Sequence, residues 1–383
     1  MIASMDGGGS ERQTLLMLRH LCRKKFAPEL FLLKRGGALF SQIPDDVPVH
    51  CFEDDVLATG WNWPGSIHRA QVKFLHRLLV NRKIDVIYDR TFHMTLIAGP
   101  AAKLANVPRI STIVSPPSHA VPLNGGRFQW IKRKRLSSAY ADAAQTIAVS
   151  SPTAQDARKY YGLKSRQVIT VPNPVDSVEL DAAVASSPTP VRDARYTIVC
   201  VGRMTKEKGH CCLINAVNCL RKQFPEFELP RLWLIGDGPL RTQLEEQSHQ
   251  LGISETIDFL GHFDQPAPWI NAADALCLPS TFEGFPNVML EAMSLGTAVI
   301  ASDIPVVRSL GRVAQSPEDR GRDYVATFRS QDEAHLARKI RRLWLNPTAT
   351  ISRIVAARNL ARRAHAIDAI LPRLEAIMLR AVK

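Results

Sequence analysis

The sequence predicts an α/β protein with two parallel-sheet domains and a helical C-terminal tail. Short runs of β-branched residues alternate with amphipathic helical stretches, which is the pattern of parallel sheets with crossover helices. The length of 383 residues exceeds the size at which a single hydrophobic core usually stops growing. A segment rich in Ala, Ser, Pro and Asp at residues 177–195 separates two such alternating series, so we place the domain boundary there.

In the first half, the alternation predicts strands at residues 2–5, 30–33, 86–88, 109–114, 146–149 and 168–171, with helices between them, for example at 11–24, 95–105 and 152–160. In the second half, it predicts strands at 197–201, 231–235, 256–260, 275–278 and 298–301, and helices at 211–223, 240–251, 266–272 and 287–295. The tail from residue 330 to 383 is helical in pattern, with Pro347 and Pro372 as predicted interruptions. Because ligands of parallel sheets bind beyond the carboxyl ends of the strands, we expect the function in the loops there.

The composition excludes several classes of protein. Apolar residues make up 45% and charged residues 22%, which excludes a disordered chain. No apolar run approaches the roughly 18 residues that span a bilayer, and the N-terminal residues lack the features of a secretory signal, so we expect a cytoplasmic protein.

The seven cysteines are odd in number and form no C-x-x-C pair, which predicts reduced, mostly buried thiols. The net charge of +13 predicts an anionic partner, for which nucleic acid, a phosphate-bearing substrate and an acidic membrane all qualify.

The first candidate site is the segment from Glu283 to Glu291, which follows the predicted strand 275–278 and opens a helix. The N–H groups of residues 285–288 and the positive end of the helix dipole would form a site for phosphate oxygens. Glu291 is then placed to bind a ribose diol, and Glu283 would face the group beyond the phosphates. Two glutamates alone would be ordinary surface residues, but the sequence between them favours a binding site. Its candidate residues are Gly284, Phe285, Pro286, Asn287, Val288 and Glu291.

The second candidate lies after the predicted strand 197–201. Gly202 and Gly209 permit a close backbone approach or a positive φ. Arg203 and Lys208 supply the positive charge that a diphosphate leaving group requires. A solvated basic loop is the alternative interpretation.

Two further glycine-containing loops follow predicted strands. The turn formed by Gly236, Asp237 and Gly238 would lie against a nucleobase or ribose, although such turns also occur without function. Gly8 and Gly9 belong to a glycine loop that opens the first helix and suits a phosphate or a sugar, so we group them with the candidate donor-binding residues. Its spacing differs from a dinucleotide-binding fingerprint, which argues against NAD and FAD.

Taken in this order, the motifs resemble those of the retaining GT-B glycosyltransferases of family four, the glycosyltransferase group 1 class. The resemblance covers nearly the whole chain and includes the glycine loop at 7–12, the segments at 148–150 and 171–176, and the motifs at 201–209, 236–239 and 283–291. It implies two Rossmann-like domains that face across a cleft. Residues 1–176 would bind the acceptor, 177–195 would form the linker, 196–357 would bind the nucleotide sugar, and helices at about 358–383 would cross back to the first domain.

The resemblance also implies roles for the candidate residues. Arg203 and Lys208 would hold the donor diphosphate and stabilise the departing nucleotide, and Glu291 would bind the ribose hydroxyls. Glu283 would contact or orient the donor sugar, which makes Glu283, Arg203 and Lys208 the candidate catalytic residues. The implied reaction moves a hexose-type sugar to a glycan or lipid-linked acceptor with retention, in cell-surface polysaccharide or glycolipid synthesis.

The implied mechanism is attack on the face from which the leaving group departs. Double displacement would need two carboxylates about 5–5.5 Å apart, and no such pair is evident in the sequence. No metal motif or cofactor site is visible either, so we expect positive side chains to neutralise the diphosphate. Many family members carry a histidine or another polar residue after the strand equivalent to 109–114. His119 is the candidate for that acceptor-side position, although it could be an incidental loop histidine. A catalytic role for His93 is equally open.

The segment from Arg127 to Arg135 combines five cations with two aromatic residues. A solvated helix face and docking to anionic lipid at the inner membrane surface both remain open. We expect no nucleic-acid partner, because no recognition motif accompanies the segment.

Three other functions remain open from the sequence. A nucleotide-sugar epimerase would consume donor without an acceptor, and a phosphorylase would need a pyridoxal-phosphate lysine that we cannot identify. A non-catalytic protein that retains the nucleotide pocket would bind a nucleoside diphosphate without any transfer.

Overall fold

The computed structural model describes residues 1–55, 65–123, 129–310 and 324–382. The chain divides into two compact units. Unit 1 comprises Met1–Pro174 and the segment that begins at Ile367, and unit 2 comprises Val175–Ala366.

The elements of residues 1–174 are α1 (Gly9–His20), β1 (Leu30–Leu32), β2 (Val49–Cys51), α2 (Phe52–Asp55), α3 (Ser66–Asn81), β3 (Ile87–Arg90), α4 (Phe92–Ala105), β4 (Arg109–Ile113), α5 (Pro117–Leu123), α6 (Gln129–Ala141), β5 (Gln145–Ala148), α7 (Ser151–Tyr161) and β6 (Val168–Thr170). The later elements are α8 (Ser177–Ser186), β7 (Thr197–Val201), α9 (His210–Gln223), β8 (Arg231–Ile235), α10 (Arg241–Gln250), β9 (Ile257–Gly261), α11 (Ala267–Ala272), β10 (Ala275–Leu278), α12 (Asn287–Leu295), β11 (Ala298–Ser302), α13 (Pro305–Leu310), β12 (Ala326–Phe328), α14 (Glu333–Leu345), α15 (Pro347–Ala364) and α16 (Ile367–Val382).

Unit 1 contains a parallel sheet of order β3-β4-β5-β6 and a separate parallel pair, β1-β2. The strand predicted at residues 2–5 is not formed as a regular strand. These residues run between β1 and β3, where the amide of Ile2 donates to the carbonyl of Phe31 and the amide of Arg90 donates to that of Met1. The bonds on the two sides are too few and too irregular for a strand ladder.

The C-terminal helix α16 packs into unit 1. Its Ile370, Leu371 and Leu374 join Leu16 and Met17 of α1 in one buried cluster. This contact explains why the segment from Ile367 onward belongs to the same unit as the N-terminal sheet. The chain returns to unit 1 at Ile367 and not at about residue 358 as predicted. The reason is that all of α15, which ends at Ala364, belongs to unit 2.

Unit 2 contains a six-stranded parallel sheet of order β12-β11-β10-β7-β8-β9. Side chains of its central strands, such as Ile198 and Leu234, pack against α9 and α14 through Val217 and Ile340. The sheet is buried against helices, so its strands consist of nearly continuous apolar residues. The order places β10, β7 and β8 side by side in the middle of the sheet.

Several predicted boundaries are wrong for local reasons. The linker predicted at 177–195 begins with α8, because the carboxylate of Asp176 accepts hydrogen bonds from the amides of Val178 and Glu179 and caps that helix. Pro347 opens α15, as predicted for an interruption, but Pro372 lies inside α16. The strands β2 and β12 were not predicted, because their three residues form no continuous apolar or β-branched run. The strands β1 and β6 are equally short but lie within such runs. All seven cysteines are free, and four of them are buried.

Candidate functional site

Three loops of unit 2 meet because their strands are neighbours. In a parallel sheet the carboxyl ends of adjacent strands lie at one edge, so the loops after β10, β7 and β8 emerge side by side. These are the loops that contain Glu283, Arg203 and Asp237. The predicted motifs of unit 2 are thus brought to one edge of one sheet.

The loops after β7 and β8 are joined through their backbones. The amide of Gly202 donates to Ile235 (2.9 Å), and the amide of Met204 donates to the carbonyl of Asp237 (2.8 Å). Gly236 has φ +130°, and a Cβ there would lie 2.1 Å from the carbonyl oxygen of Gly202. Glycine is therefore required at position 236 both by the backbone conformation and by the close approach.

Gly238 is equally close to the neighbouring loop, since a Cβ there would lie 2.6 Å from the carbonyl oxygen of Met204. The carboxylate of Asp237 accepts a hydrogen bond from the amide of Gly238 (2.7 Å). This side chain stabilises its own turn, so the structure gives Asp237 a local role in addition to the predicted contact with a ligand.

The loops after β7 and β10 are joined in the same way. The amide of Thr281 donates to the carbonyl of Glu207 (2.8 Å). Gly209 has φ +71° and precedes α9, and a Cβ there would lie 2.1 Å from the carbonyl oxygen of Pro279. Any larger residue at position 209 would push these loops apart.

Lys208 and Glu283 form an ion pair across this junction. The Nζ of Lys208 lies 2.6 Å from Oε1 of Glu283, which also accepts a hydrogen bond from the hydroxyl of Ser280 (2.8 Å). The lysine side chain is 30% exposed and the glutamate side chain 12%. Burial lowers the pKa of Lys208, but the Glu283 carboxylate outweighs this effect and the pKa is raised above its ordinary value. Lys208 thus remains a fixed positive charge at neutral pH.

Arg203 completes the positive side of the junction. It follows Gly202 directly and its side chain is exposed. Among the residues that the structure describes, Arg203 forms no ion pair. Its guanidinium is therefore available to a ligand that binds at this loop.

The segment after β10 opens α12 at Asn287, with Pro286 as the residue before the helix. The first intrahelical bonds are donated by Met289 and Leu290, both to the carbonyl of Pro286. The earlier amides of the turn, including that of Val288, thus precede the hydrogen-bond ladder, as an anion site requires.

The remaining residues of this segment are more enclosed than the sequence suggested. Phe285 is buried and its ring packs against that of His365, with centroids 5.4 Å apart. Glu291 is half-buried in the second turn of α12. Gly284 lies in the turn itself and is buried.

His210 was not singled out in the sequence. It is the first residue of α9, immediately after Gly209, and it is buried. Burial, and then the positive charge of Lys208, lower its pKa to about 4, so it is neutral at pH 7. Neither ring nitrogen has a hydrogen-bond partner among the described residues. Its position next to the Lys-Gly motif is the only sequence signal that could have drawn attention to it.

Gly8 and Gly9, which were grouped with the donor-binding residues, lie in unit 1 at the start of α1. The carboxylate of Glu11 lies over Gly8, since a Cβ at Gly8 would be 2.5 Å from Oε2 of Glu11. Burial raises the pKa of Glu11. A carboxyl group over this helix start favours a hydroxyl-bearing ligand over the phosphate that the sequence allowed.

The candidate acceptor-side histidines also lie in unit 1. His119 is exposed on α5, a helix and not the predicted loop. His93 lies on α4, where its ring centroid is 4.0 Å from that of Phe92 and where partial burial of the ring, and then the charge of Lys132, lower its pKa. The acceptor-side role of the two histidines stays a prediction.

The described residues contain no group of three or more His, Cys, Asp and Glu residues arranged to hold a metal ion. None of the described helices combines the length and the apolar character needed to cross a membrane.

The family described as Glycosyltransferase Family 4 matches residues 7–179, and the family described as Glycosyl transferases group 1 matches residues 195–346. Anabaena HepE in complex with UDP and glucose superimposes with a TM-score of 0.77 over 98% of both chains, at 17% identity. WaaG, a glycosyltransferase of lipopolysaccharide biosynthesis, gives a TM-score of 0.71 over 99% of both chains, at 14% identity.

These similarities define the protein class as a glycosyltransferase with the GT-B fold. The two family matches together span most of the chain, and the chain belongs to the group 1, family 4 glycosyltransferases. It is 25% identical over 311 residues to an α-1,4-N-acetyl-D-galactosaminyltransferase of Campylobacter jejuni that acts on an undecaprenol-linked glycan, covering 79% of this chain and 78% of the relative. It is 26% identical to the glycogen synthase of Mycobacterium tuberculosis over 80% of this chain and 72% of that enzyme.

Proposed function

We propose that this glycosyltransferase moves a hexose-type sugar from a nucleotide-diphosphate donor to a glycan or lipid-linked acceptor in polysaccharide or glycolipid synthesis. The observation that carries the proposal is the Lys208–Glu283 ion pair at the point where three glycine-containing loops meet. A charged lysine held in this position, with Arg203 exposed beside it, suits a diphosphate. The names of the relatives, which include a UDP complex and a lipid-linked acceptor, support the same substrate classes.

In this proposal, Lys208 and Arg203 stabilise the negative charge that grows on the diphosphate as the glycosidic bond to the nucleotide breaks. The amides before α12 bind phosphate oxygens, and Glu291 accepts hydrogen bonds from the ribose diol. No divalent cation is required for the neutralisation, so we expect turnover to persist in EDTA.

Transfer proceeds with retention by attack on the same face from which the nucleotide leaves. Oε1 of Glu283 already accepts hydrogen bonds from Lys208 and Ser280, which makes this carboxylate a weak nucleophile. We therefore assign Glu283 to positioning Lys208 and contacting the donor sugar, and not to forming a covalent glycosyl intermediate.

A thermal-shift screen with UDP, GDP and ADP, followed by transfer assays with the matching nucleotide sugars, tests the proposal. One nucleoside diphosphate should stabilise the chain by about 2.7 kcal/mol at a concentration of roughly 100 times its Kd. The product should retain the anomeric configuration of the donor by NMR. Donor consumption without an acceptor would favour the epimerase, and tight nucleotide binding without transfer to any acceptor would favour the non-catalytic protein; either result contradicts the proposal.

We further propose that α6 and the end of α5 contact an anionic membrane surface. Of the predicted segment from Arg127 to Arg135, residues 127 and 128 lie outside the described residues. In the rest, Trp130 is 69% exposed and Leu123, at the end of α5, is 64% exposed. Lys134 and Arg135 are exposed beside them.

The other two described cations of the segment, Lys132 and Arg133, contact residues of unit 1. The Lys132 ammonium lies 4.4 Å from the centroid of the Phe92 ring, and Arg133 lies over Tyr160 and donates to its carbonyl oxygen. A membrane would therefore meet Lys134 and Arg135, together with the exposed apolar side chains.

Lys134→Ser/Arg135→Ser is expected to weaken binding to vesicles of anionic lipid roughly 30-fold, because each cation near such a surface contributes about 1 kcal/mol. Vesicle sedimentation at low ionic strength measures the effect. Lys159→Ser/Lys164→Ser removes two exposed cations of the same unit and is the matched control. Equal binding by both variants and the unmodified chain would contradict the proposal.

A further inference from the structure

A basic cavity lies in unit 2 at the edge strand β12. It has a volume of about 160 Å³ and is lined by β12, the last turns of α14 and the first turns of α15. One water molecule needs about 10–15 Å³ of such space, so the cavity has room for a polyatomic anion such as phosphate.

The charged side chains that line the cavity are Lys339 and Arg342 from α14 and Arg353 from α15, and within the described part of the chain no carboxylate lines it. Neither Lys339 nor Arg342 is in an ion pair with another described residue. The sequence from residue 334 to 367 contains eight Lys and Arg residues and no Asp or Glu. The nearby His335 reflects this charge, because burial and then Lys339 and Arg329 lower its pKa.

The acceptor groups at the same corner are already used by the protein. The side-chain amide of Asn346 donates to the carbonyl of Arg342 (2.8 Å), and the hydroxyl of Thr350 donates to the carbonyls of Leu343 (3.3 Å) and Asn346 (2.9 Å). The carbonyl end of α14 is thereby capped. What remains to face a ligand is positive charge and the N–H groups at the start of α15.

The cavity is separate from the candidate donor site. It joins Val325, which precedes β12, to Leu343 in the last turn of α14, and therefore lies toward the amino end of that strand. The loops with Lys208 and Glu283 follow the carboxyl ends of their strands, and β12 is separated from β10 by β11. The cavity therefore lies at the amino ends of the strands, and the candidate donor site lies at their carboxyl ends.

We propose that this cavity is a second anion site, which binds a small soluble phosphate-bearing ligand away from the donor site. Lys339 and Arg342 supply charge-assisted hydrogen bonds to phosphate oxygens, Arg353 adds positive charge to the lining, and the start of α15 adds amide donors. The site does not depend on the proposed reaction, since no residue of the donor site takes part in it.

Isothermal titration of the full chain with inorganic phosphate tests the site. Lys339→Gln/Arg342→Gln should weaken phosphate binding at least tenfold, because two charge-assisted bonds are lost. Arg338→Gln/Arg363→Gln removes two exposed cations of the same helices that do not line the cavity, and it should bind phosphate as the unmodified chain does. Lys208→Ala should retain this binding, which separates the cavity from the donor site.

Ala349→Glu provides a second variant that does not depend on losing a cation. Position 349 lies in the first turn of α15, where a glutamate favours the helix, so the variant should fold while its carboxylate competes with phosphate for the cavity. It should also lose phosphate binding at least tenfold. Unchanged binding in both cavity variants, or loss of binding in Lys208→Ala alone, would overturn the proposal. So would a dependence on Lys339 and Arg342 that appears only with phosphatidic acid vesicles, because the ligand would then be a lipid headgroup.

Discussion

Lys208→Ala is expected to reduce turnover with the nucleotide-sugar donor by about 10²–10³, the usual cost of removing one group that stabilises developing negative charge. The Nζ of Lys208 is the positive group held most firmly at the junction of the three loops, 2.6 Å from the Glu283 carboxylate. Its pKa is raised, so it carries its full charge at neutral pH. Steady-state kinetics should show the loss mainly in kcat, since the charge on the leaving group grows in the transition state.

The matched control is Lys206→Ala. Lys206 is exposed in the same short helical turn but Lys208, and not Lys206, pairs with Glu283, so removal of Lys206 should leave kcat within about twofold. Glu283→Gln tests the partner. It should lower turnover less than Lys208→Ala, because the lysine charge remains although its position is less restricted. A fully active Lys208→Ala, with an unchanged melting temperature, would remove the proposed role.

Asp89→Ala is expected to destabilise unit 1 by about 3–5 kcal/mol, the range for removing one partner of a buried ion pair. Asp89 at 0% and Arg109 at 3% are almost without exposure, and their side chains lie 3.4 Å apart. The Asp89 carboxylate also accepts hydrogen bonds from the hydroxyls of Thr95 (2.5 Å) and Ser111 (2.6 Å). Without it, the Arg109 guanidinium would stay buried with only the neutral acceptors Ser111 and Ala139.

Urea unfolding followed by circular dichroism measures this effect, and the corresponding loss in melting temperature should be roughly 10 °C. Asp89→Asn should be less harmful, because the amide can still accept a hydrogen bond. Asp54→Ala, which removes the carboxylate of an exposed ion pair with Arg35, should change the stability little. Equal stabilities of Asp89→Ala and Asp54→Ala would show that the buried pair is not important for the fold.

The motif order and the alternation of elements were sufficient to predict the fold class and the family. The strands at 197–201, 231–235 and 275–278 were predicted with the bounds that the structure has, because each is a buried run of apolar residues in a parallel sheet. The strands β2 and β12 and the exact return of the chain to unit 1 could not be predicted. The two strands lack a continuous apolar run, and the return depends on which core α16 joins.

The candidate site was also predicted only in part from the sequence. Residue types near strand ends identified Lys208, Arg203 and Glu283, but the pairing of Lys208 with Glu283 joins positions 75 residues apart. The burial of His210 and the position of the cation-lined cavity at β12 could not be predicted from the sequence, because both depend on how α9, α14 and α15 pack.

By itself, the sequence determined that this protein is an α/β enzyme of two parallel-sheet domains with glycosyltransferase motifs, because local periodicity and loop chemistry are written in consecutive residues. Only the tertiary structure decided which strands are neighbours, and therefore which loops meet. It placed β10, β7 and β8 side by side, joined their loops through Gly236 and Gly209, and set Lys208 against Glu283. It also placed Gly8 and Gly9 in a different unit from the other donor-binding candidates. The physical reason is that contacts between distant segments follow from burying both faces of a sheet, which no local pattern encodes.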